Sequence, residues 1–150
     1  MKDANEMCLG VHHHSLFHIE RNGGVFIVSF IGLWLDALSH YWKEVIYIGH
    51  CTAVRTPEQD YRISNIKNVR FISAGGPGGI TTLGKRVAGM KRVLNAAAPD
   101  IDVLIVRSPT PRQATVLDAF SKQFKALYLV GESPKVSWLD CFREKGLRGL

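Results

Sequence analysis

Short apolar runs alternate along this chain with stretches of helical periodicity, and that alternation limits the fold more than any single motif does. The runs are residues 7–12 (MCLGVH), 45–49 (VIYIG), 69–73 (VRFIS), 103–107 (VLIVR) and 126–131 (ALYLVG). Each is continuous rather than alternately apolar and polar. That is the pattern of a strand covered on both faces, hence of a central parallel sheet. Between the runs, Phe30, Leu33, Trp34, Leu38 and Trp42 recur at helical spacing over residues 29–42. A second helix is expected over residues 81–98, with Leu83, Val87, Met90, Leu94 and Ala97 on one face. Pro99 ends it, because proline cannot continue the hydrogen-bond ladder. A third starts at Thr110-Pro111-Arg112-Gln113, where Thr110 can cap, Pro111 suits the first helical position and Gln113 can close a capping box. Its buried stripe is Val116, Phe120 and Phe124. A further helix is expected in the tail, residues 133–150.

The order β-α-β-(irregular)-β-α-β-α-β predicts an α/β domain with a Rossmann-like three-layer αβα arrangement and a mostly parallel central sheet. The chain's 150 residues suit one domain. Ligands in such folds bind at the carboxyl ends of the strands, where loops lead into helices. The search for function therefore narrows to the loops after His12, Gly49, Ser73, Arg107 and Gly131.

Composition excludes several classes. Hydrophobic residues make up 46% and charged residues 21%, an ordinary globular balance that argues against disorder. Cys8, Cys51 and Cys141 are too few and too scattered for a disulfide framework or a zinc ribbon, and read as reduced thiols. The longest apolar run, residues 25–35 (VFIVSFIGLWL), falls short of the ~20 residues a membrane-spanning helix needs. The opening MKDANEM is followed by no secretory apolar region, so the expected location is cytoplasmic.

The loops carry the candidate chemistry. After Ser73 comes Ala74-Gly75-Gly76-Pro77-Gly78-Gly79, then a helix start. Glycines let backbone N–H groups approach a phosphate, although the same residues can be a plain flexible turn. Within it, residues 79–85 match GxxxxGK, but Arg86 stands where a nucleotide-binding P-loop needs Ser or Thr, which leaves a P-loop hydrolase a weak third reading. His12-His13-His14 ends the first strand, with His18 after it. Adjacent strand residues point in alternating directions, so they do not converge on one metal, and no metal site is expected. One of the three, taken as His14, faces the ligand crevice. Gly23-Gly24 can seat a phosphate or sugar against backbone amides, or can simply turn the chain after Arg21-Asn22. Arg107, with Ser108 after it, closes the fourth strand beside a helix start, where an arginine is either an anion ligand or a surface residue packing its stem on the sheet. Lys85, Arg86, Lys91 and Arg92 make a basic helix face, either solvated or in contact with anionic lipid. Nucleic-acid binding is not expected, since the aromatics follow core periodicity and do not interleave with the basic residues.

The succession CLGVHHHSLF, Asn22-Gly23-Gly24, the helical run to Trp42, EVIYIGH and then PDIDVLIVRSPTPRQATVLDAFSKQFKALYLVGES resembles the N-terminal domain of a family 4 (group 1) glycosyltransferase of the GT-B arrangement. The resemblance spans nearly the whole chain. It implies that residues 1–150 are the Rossmann-like, acceptor-side half of such an enzyme, without the C-terminal donor-binding domain and its Glu-x7-Glu pair. It implies transfer of a sugar from a nucleotide-sugar to a sugar or lipid-linked acceptor hydroxyl. The transfer would be retaining and metal-independent, with no resident cofactor, and this chain alone would be inactive. Gly23 and Gly24 would then lie near the donor diphosphate. His14, Gly76, Gly78, Arg107, Ser108 and Glu132 would line the acceptor cleft. Where many members carry a histidine at the end of the fifth strand, this chain has Gly131 and then Glu132. The basic residues 85, 86, 91 and 92 would give peripheral membrane contact. The alternative is a stand-alone Rossmann-like module that binds a phosphorylated ligand or a protein and catalyses nothing.

Overall fold

A computed structural model describes residues 3–75, 83–108 and 113–129. After a 3-10 turn at Ala4–Glu6, the elements run β1 (Cys8–Ile19), β2 (Val25–Ile27), α1 (Ser29–Leu38), β3 (Glu44–Thr52), β4 (Tyr61–Arg62) and β5 (Val69–Ser73). Then come α2 (Leu83–Ala97), a 3-10 turn at Ala98–Asp100, β6 (Val103–Ser108), α3 (Gln113–Ala119) and β7 (Phe124–Leu129). All the strands join one seven-stranded sheet.

The sheet is mixed. β1 is parallel to β3 on one side and to β6 on the other, and β5 and β7 extend these flanks in parallel. Beyond its contact with β6, β1 turns back through a hairpin into β2, which pairs with it antiparallel, and β4 adds antiparallel to β2. The expected Rossmann-like αβα layering around a mostly parallel sheet, one half of a GT-B fold, is corrected accordingly. The physical reason lies in β1. The loop expected after His12 is strand as far as Ile19, because Phe17 is fully buried and Phe17, His18 and Ile19 pair with Ile27, Phe26 and Val25. Gly23, at φ 84°, makes the return turn possible, a conformation that glycine adopts without a Cβ clash. The 25–35 run is thereby divided between β2 and the first turns of α1.

The two faces of the sheet have separate cores. Leu9, Val11, Phe17, Val45, Tyr47 and Val69 pack with Ile31 and Leu35 of α1. Ile46, Ile48, Leu104 and Val106 pack with Met90 and Leu94 of α2 and with Val116 and Phe120 around α3. The α2 stripe thus holds at Met90, Leu94 and Ala97. The α1 stripe holds in part: Trp34, Leu38 and Trp42 pack against the core, but Phe30 and Leu33 are 60% and 58% exposed while Ile31 and Leu35 are buried. Asp36, also on the buried side of α1, accepts hydrogen bonds from the Tyr61 hydroxyl at 2.8 Å and from the amides of Ser64 and Asn65 at 2.9 and 3.1 Å. Burial opposes ionisation of Asp36, but these donors outweigh it and hold its carboxyl below the ordinary range. The segment between β3 and β5, which has no helix, is fastened to α1 in this way.

The register between β1 and β3 changes midway. His12 faces Ile48, but Leu16 faces His50, so His13, His14 and Ser15 lie opposite Gly49 alone. Two extra residues are an even number. The alternation that buries Leu9 and Val11 therefore resumes in phase at Phe17. The buried Tyr47 holds this bulge, donating from its hydroxyl to the Ser15 carbonyl at 3.0 Å, with the His13 carbonyl at 3.4 Å. To reach it, the ring lies over Gly49, where a Cβ would come within 2.5 Å of Tyr47 Cε1. Gly49→Ala should therefore cost about 1–3 kcal/mol of stability through overpacking. The check is a lower urea midpoint with an unchanged slope.

Candidate functional site

At the carboxyl ends of β1, β3 and β6 the side chains are imidazoles and one guanidinium. The register that pairs Val11 with Ile105 and His12 with Val106 brings His13 and Arg107 side by side on adjacent strands. Arg107 Nη1 lies 2.9 Å from His13 Nε2. It is also 3.1 Å from both ring nitrogens of His14. Equal distances to both nitrogens fit a guanidinium set over the imidazole face, a cation–π placement. The His13 and His14 rings stack at 4.7 Å and 15°, and Phe30 presents its edge to His13 at 6.0 Å. The Phe30 ring, exposed by the turn of α1, thus walls the cluster.

His12 points to the other side of β1. Its Nδ1 donates to the Ile48 carbonyl at 3.1 Å, and its Nε2 is buried with no hydrogen-bond partner. His50, at the end of β3, contacts the carbonyl of Gly75, where the glycine loop begins. No carboxylate among the described residues forms an ion pair with Arg107.

Electrostatics follows from this arrangement. Burial, then the charge of Arg107, pushes His13 down to about 3. Burial pushes His12 down to about 4, against the opposing pull of the Ile48 carbonyl. His14 is lowered too, by burial and then by Arg107 and His50. The cluster is therefore one permanent cation among neutral rings at neutral pH, with N–H groups available to an incoming acceptor. Among the described residues no group of three or more His, Cys, Asp and Glu side chains is arranged to hold a metal ion.

Of the site residues expected from sequence, the structure brings His14 and Arg107 into contact. Gly23 and Gly24 are elsewhere. They form the tip of the β1–β2 hairpin, where the Gly24 amide donates to the Asn22 side chain at 2.8 Å and its carbonyl accepts from Glu20 at 2.8 Å. Six residues of extended strand, about 20 Å, separate His13 from Ile19 at the foot of that hairpin. The two glycines make a tight turn and, with Asn22, Arg62 and Ser64, also line a surface pocket. Ser108 is in β6, opposite Leu129 of β7. Gly76, Gly78 and Glu132, the capping residues Thr110 to Arg112, residues 79–82 of the P-loop-like match and the expected tail helix all lie outside the described residues. Lys85 and Arg86 are within α2, Arg92 is exposed, and Lys91 forms an exposed ion pair with Asp118 of α3 at 2.7 Å. Among the described residues no helix is long and apolar enough to cross a membrane.

His50 and Tyr47 are missing from the sequence-based site. His50 had a signal, because it is the first residue past the VIYIG run and so stands at a strand's carboxyl end. Tyr47 had none, since a tyrosine inside an apolar run reads as core.

Searches against protein-family models and against curated proteins give no match. Among solved structures, the chain is similar to the C-terminal domain of a hydrogenase from Pyrococcus furiosus. That similarity has a TM-score of 0.51 at 11% identity, and covers 83% of this chain and 92% of that one. At such identity the likeness describes the fold alone. Together with the antiparallel strands β2 and β4, it overturns the Rossmann-like, GT-B description of the fold.

The neutral histidines make stability depend on pH. A folded-state value near 4 for His12, below the ordinary 6.5, means the unfolded chain takes up the proton first. This contribution is complete above 6.5 and is lost as pH falls toward 4, amounting to about 3 kcal/mol for His12 alone. Asp36, whose lowered value acts only below the ordinary 3.8, lies outside that window. Denaturant melts at successive pH values should show this decline, and His12→Gln should make it shallower, leaving the share of His13 and His14.

Proposed function

We propose that this chain binds a phosphate-bearing ligand at the carboxyl ends of β1, β3 and β6, and that the binding involves no catalytic step of its own. One observation carries the reading. Arg107 is half-buried against His13 and His14 and has no carboxylate counter-ion among the described residues. A cation drawn partly out of water without compensation is costly, and an anion seated on it removes that cost while forming charge-assisted hydrogen bonds. The position adds support, since ligands of open α/β sheets gather beyond the carboxyl ends of parallel strands.

The diphosphate of a nucleotide-sugar, the donor that the glycosyltransferase resemblance implies, is one carrier of this chemistry. Calorimetric titration with inorganic phosphate, a nucleoside diphosphate and a nucleotide-sugar tests the reading directly. Binding should occur at Arg107, and Arg107→Gln should weaken it about 10–100-fold, the loss of one charge-assisted contact. Equal affinities in the two proteins would refute the assignment.

A further inference from the structure

His13 is asked for two things a neutral imidazole cannot both give. Its Nδ1 accepts the backbone N–H of Ser15 at 3.0 Å, and its Nε2 faces Arg107 Nη1 at 2.9 Å. Both neighbours are N–H donors, whereas a neutral imidazole has one acceptor nitrogen. One contact must therefore yield. The Ser15 amide belongs to the β1 bulge, whose carbonyls at His13 and Ser15 are held by the Tyr47 hydroxyl under a fully buried ring. Arg107 is a long side chain with rotatable bonds, and a small swing releases it. The fixed backbone donor wins, so Nδ1 stays the acceptor and Nε2 carries the hydrogen.

We infer that His13 is the second ligand-binding donor of this site, its Nε2–H and the Arg107 guanidinium converging on a single oxygen of an oxyanion. This deepens the phosphate reading above and rests on it. Two N–H groups facing each other at 2.9 Å repel, and once the Arg107 side chain swings aside an anionic oxygen can accept from both. The His14 face and the Phe30 edge fix the ring plane, so the donor is aimed before the ligand arrives. The ligand class is an oxyanion that projects one oxygen into the gap between the strands. Inorganic phosphate is the smallest such probe.

The test uses the whole chain. Long-range proton–nitrogen NMR of the histidine side chains, with the His13 signals assigned by their loss in His13→Gln, reads the tautomer directly. The expected result is a hydrogen on Nε2 and a bare Nδ1, with phosphate shifting the Nε2–H resonance. In calorimetry His13→Phe should weaken phosphate at least tenfold, while His13→Gln, which keeps an N–H donor, should recover part of that loss. A hydrogen on Nδ1 overturns the inference even if a variant fails to fold. If Arg107→Gln abolishes phosphate binding while His13→Phe leaves it unchanged, this inference falls and the broader reading stands. If the unaltered chain binds no phosphate, both fall.

Discussion

Strand β1 has to satisfy two kinds of neighbour along one length of backbone. Its first half lies between β3 and β6, both parallel to it; its second half keeps β3 but exchanges β6 for the antiparallel β2. A regular strand could make this exchange only if its second partner left cleanly at a residue boundary. Here the change is absorbed by the bulge at His13, His14 and Ser15 opposite Gly49. The Tyr47 hydroxyl takes the place of part of the interrupted ladder by bonding two of the bulge carbonyls. A buried polar group deep in an apolar core is tolerated because its hydrogen-bonding need is met there. The packing of both cores depends on that strand, and the imidazole cluster is a by-product of how its interruption is accommodated.

Charge is sorted along the strands. At their amino ends, Arg70 bridges Glu44 and Asp100 at 3.1 and 3.0 Å, and the Asp102 carboxylate accepts the Cys8 amide at 3.0 Å. These contacts link β1, β3, β5 and the turn before β6. At the carboxyl ends Arg107 stands among rings that burial keeps uncharged. Arginine does not lose its proton at any ordinary pH, so the imidazoles yield instead.

The strand positions were legible because a continuous apolar run has few alternatives to a buried strand: VIYIG, VRFIS and VLIVR all lie within strands. Arg107 was legible for the same reason, as the polar residue at the end of such a run. The extent of β1 was not. HHHSLFHI mixes polar and apolar residues without a period that separates loop from strand, and its extended state is decided by pairing with β2 and β3, information that sits elsewhere in the chain. The phase of α1 was legible only in part, at Trp34, Leu38 and Trp42, for a related reason. Phe30 and Leu33 are as apolar as Ile31 and Leu35, and only the presence of Tyr61 and the segment after β4 picks the buried side, with Tyr61 against Gly32 and Asp36. Gly23 and Gly24 show the limit of reading glycine locally, since a phosphate cradle and a hairpin turn ask for the same residues.

The pairing of β1 with β6 also shapes how the chain reaches its final form. His13 and Arg107 touch although 94 positions separate them. β2, β3, α1, β4, β5 and α2 all lie in the intervening stretch. Contacts of such wide separation close late, after the entropy of a long loop has been overcome. β1 can acquire β2 and β3 from nearby sequence, but one flank of its first half stays unpaired until β6 arrives. An intermediate halted at that stage would present an open strand edge bearing Leu9 and Val11, and unpaired edges of this kind recruit other chains. The docking of β6 thus brings Arg107 to His13 and covers that edge in the same step.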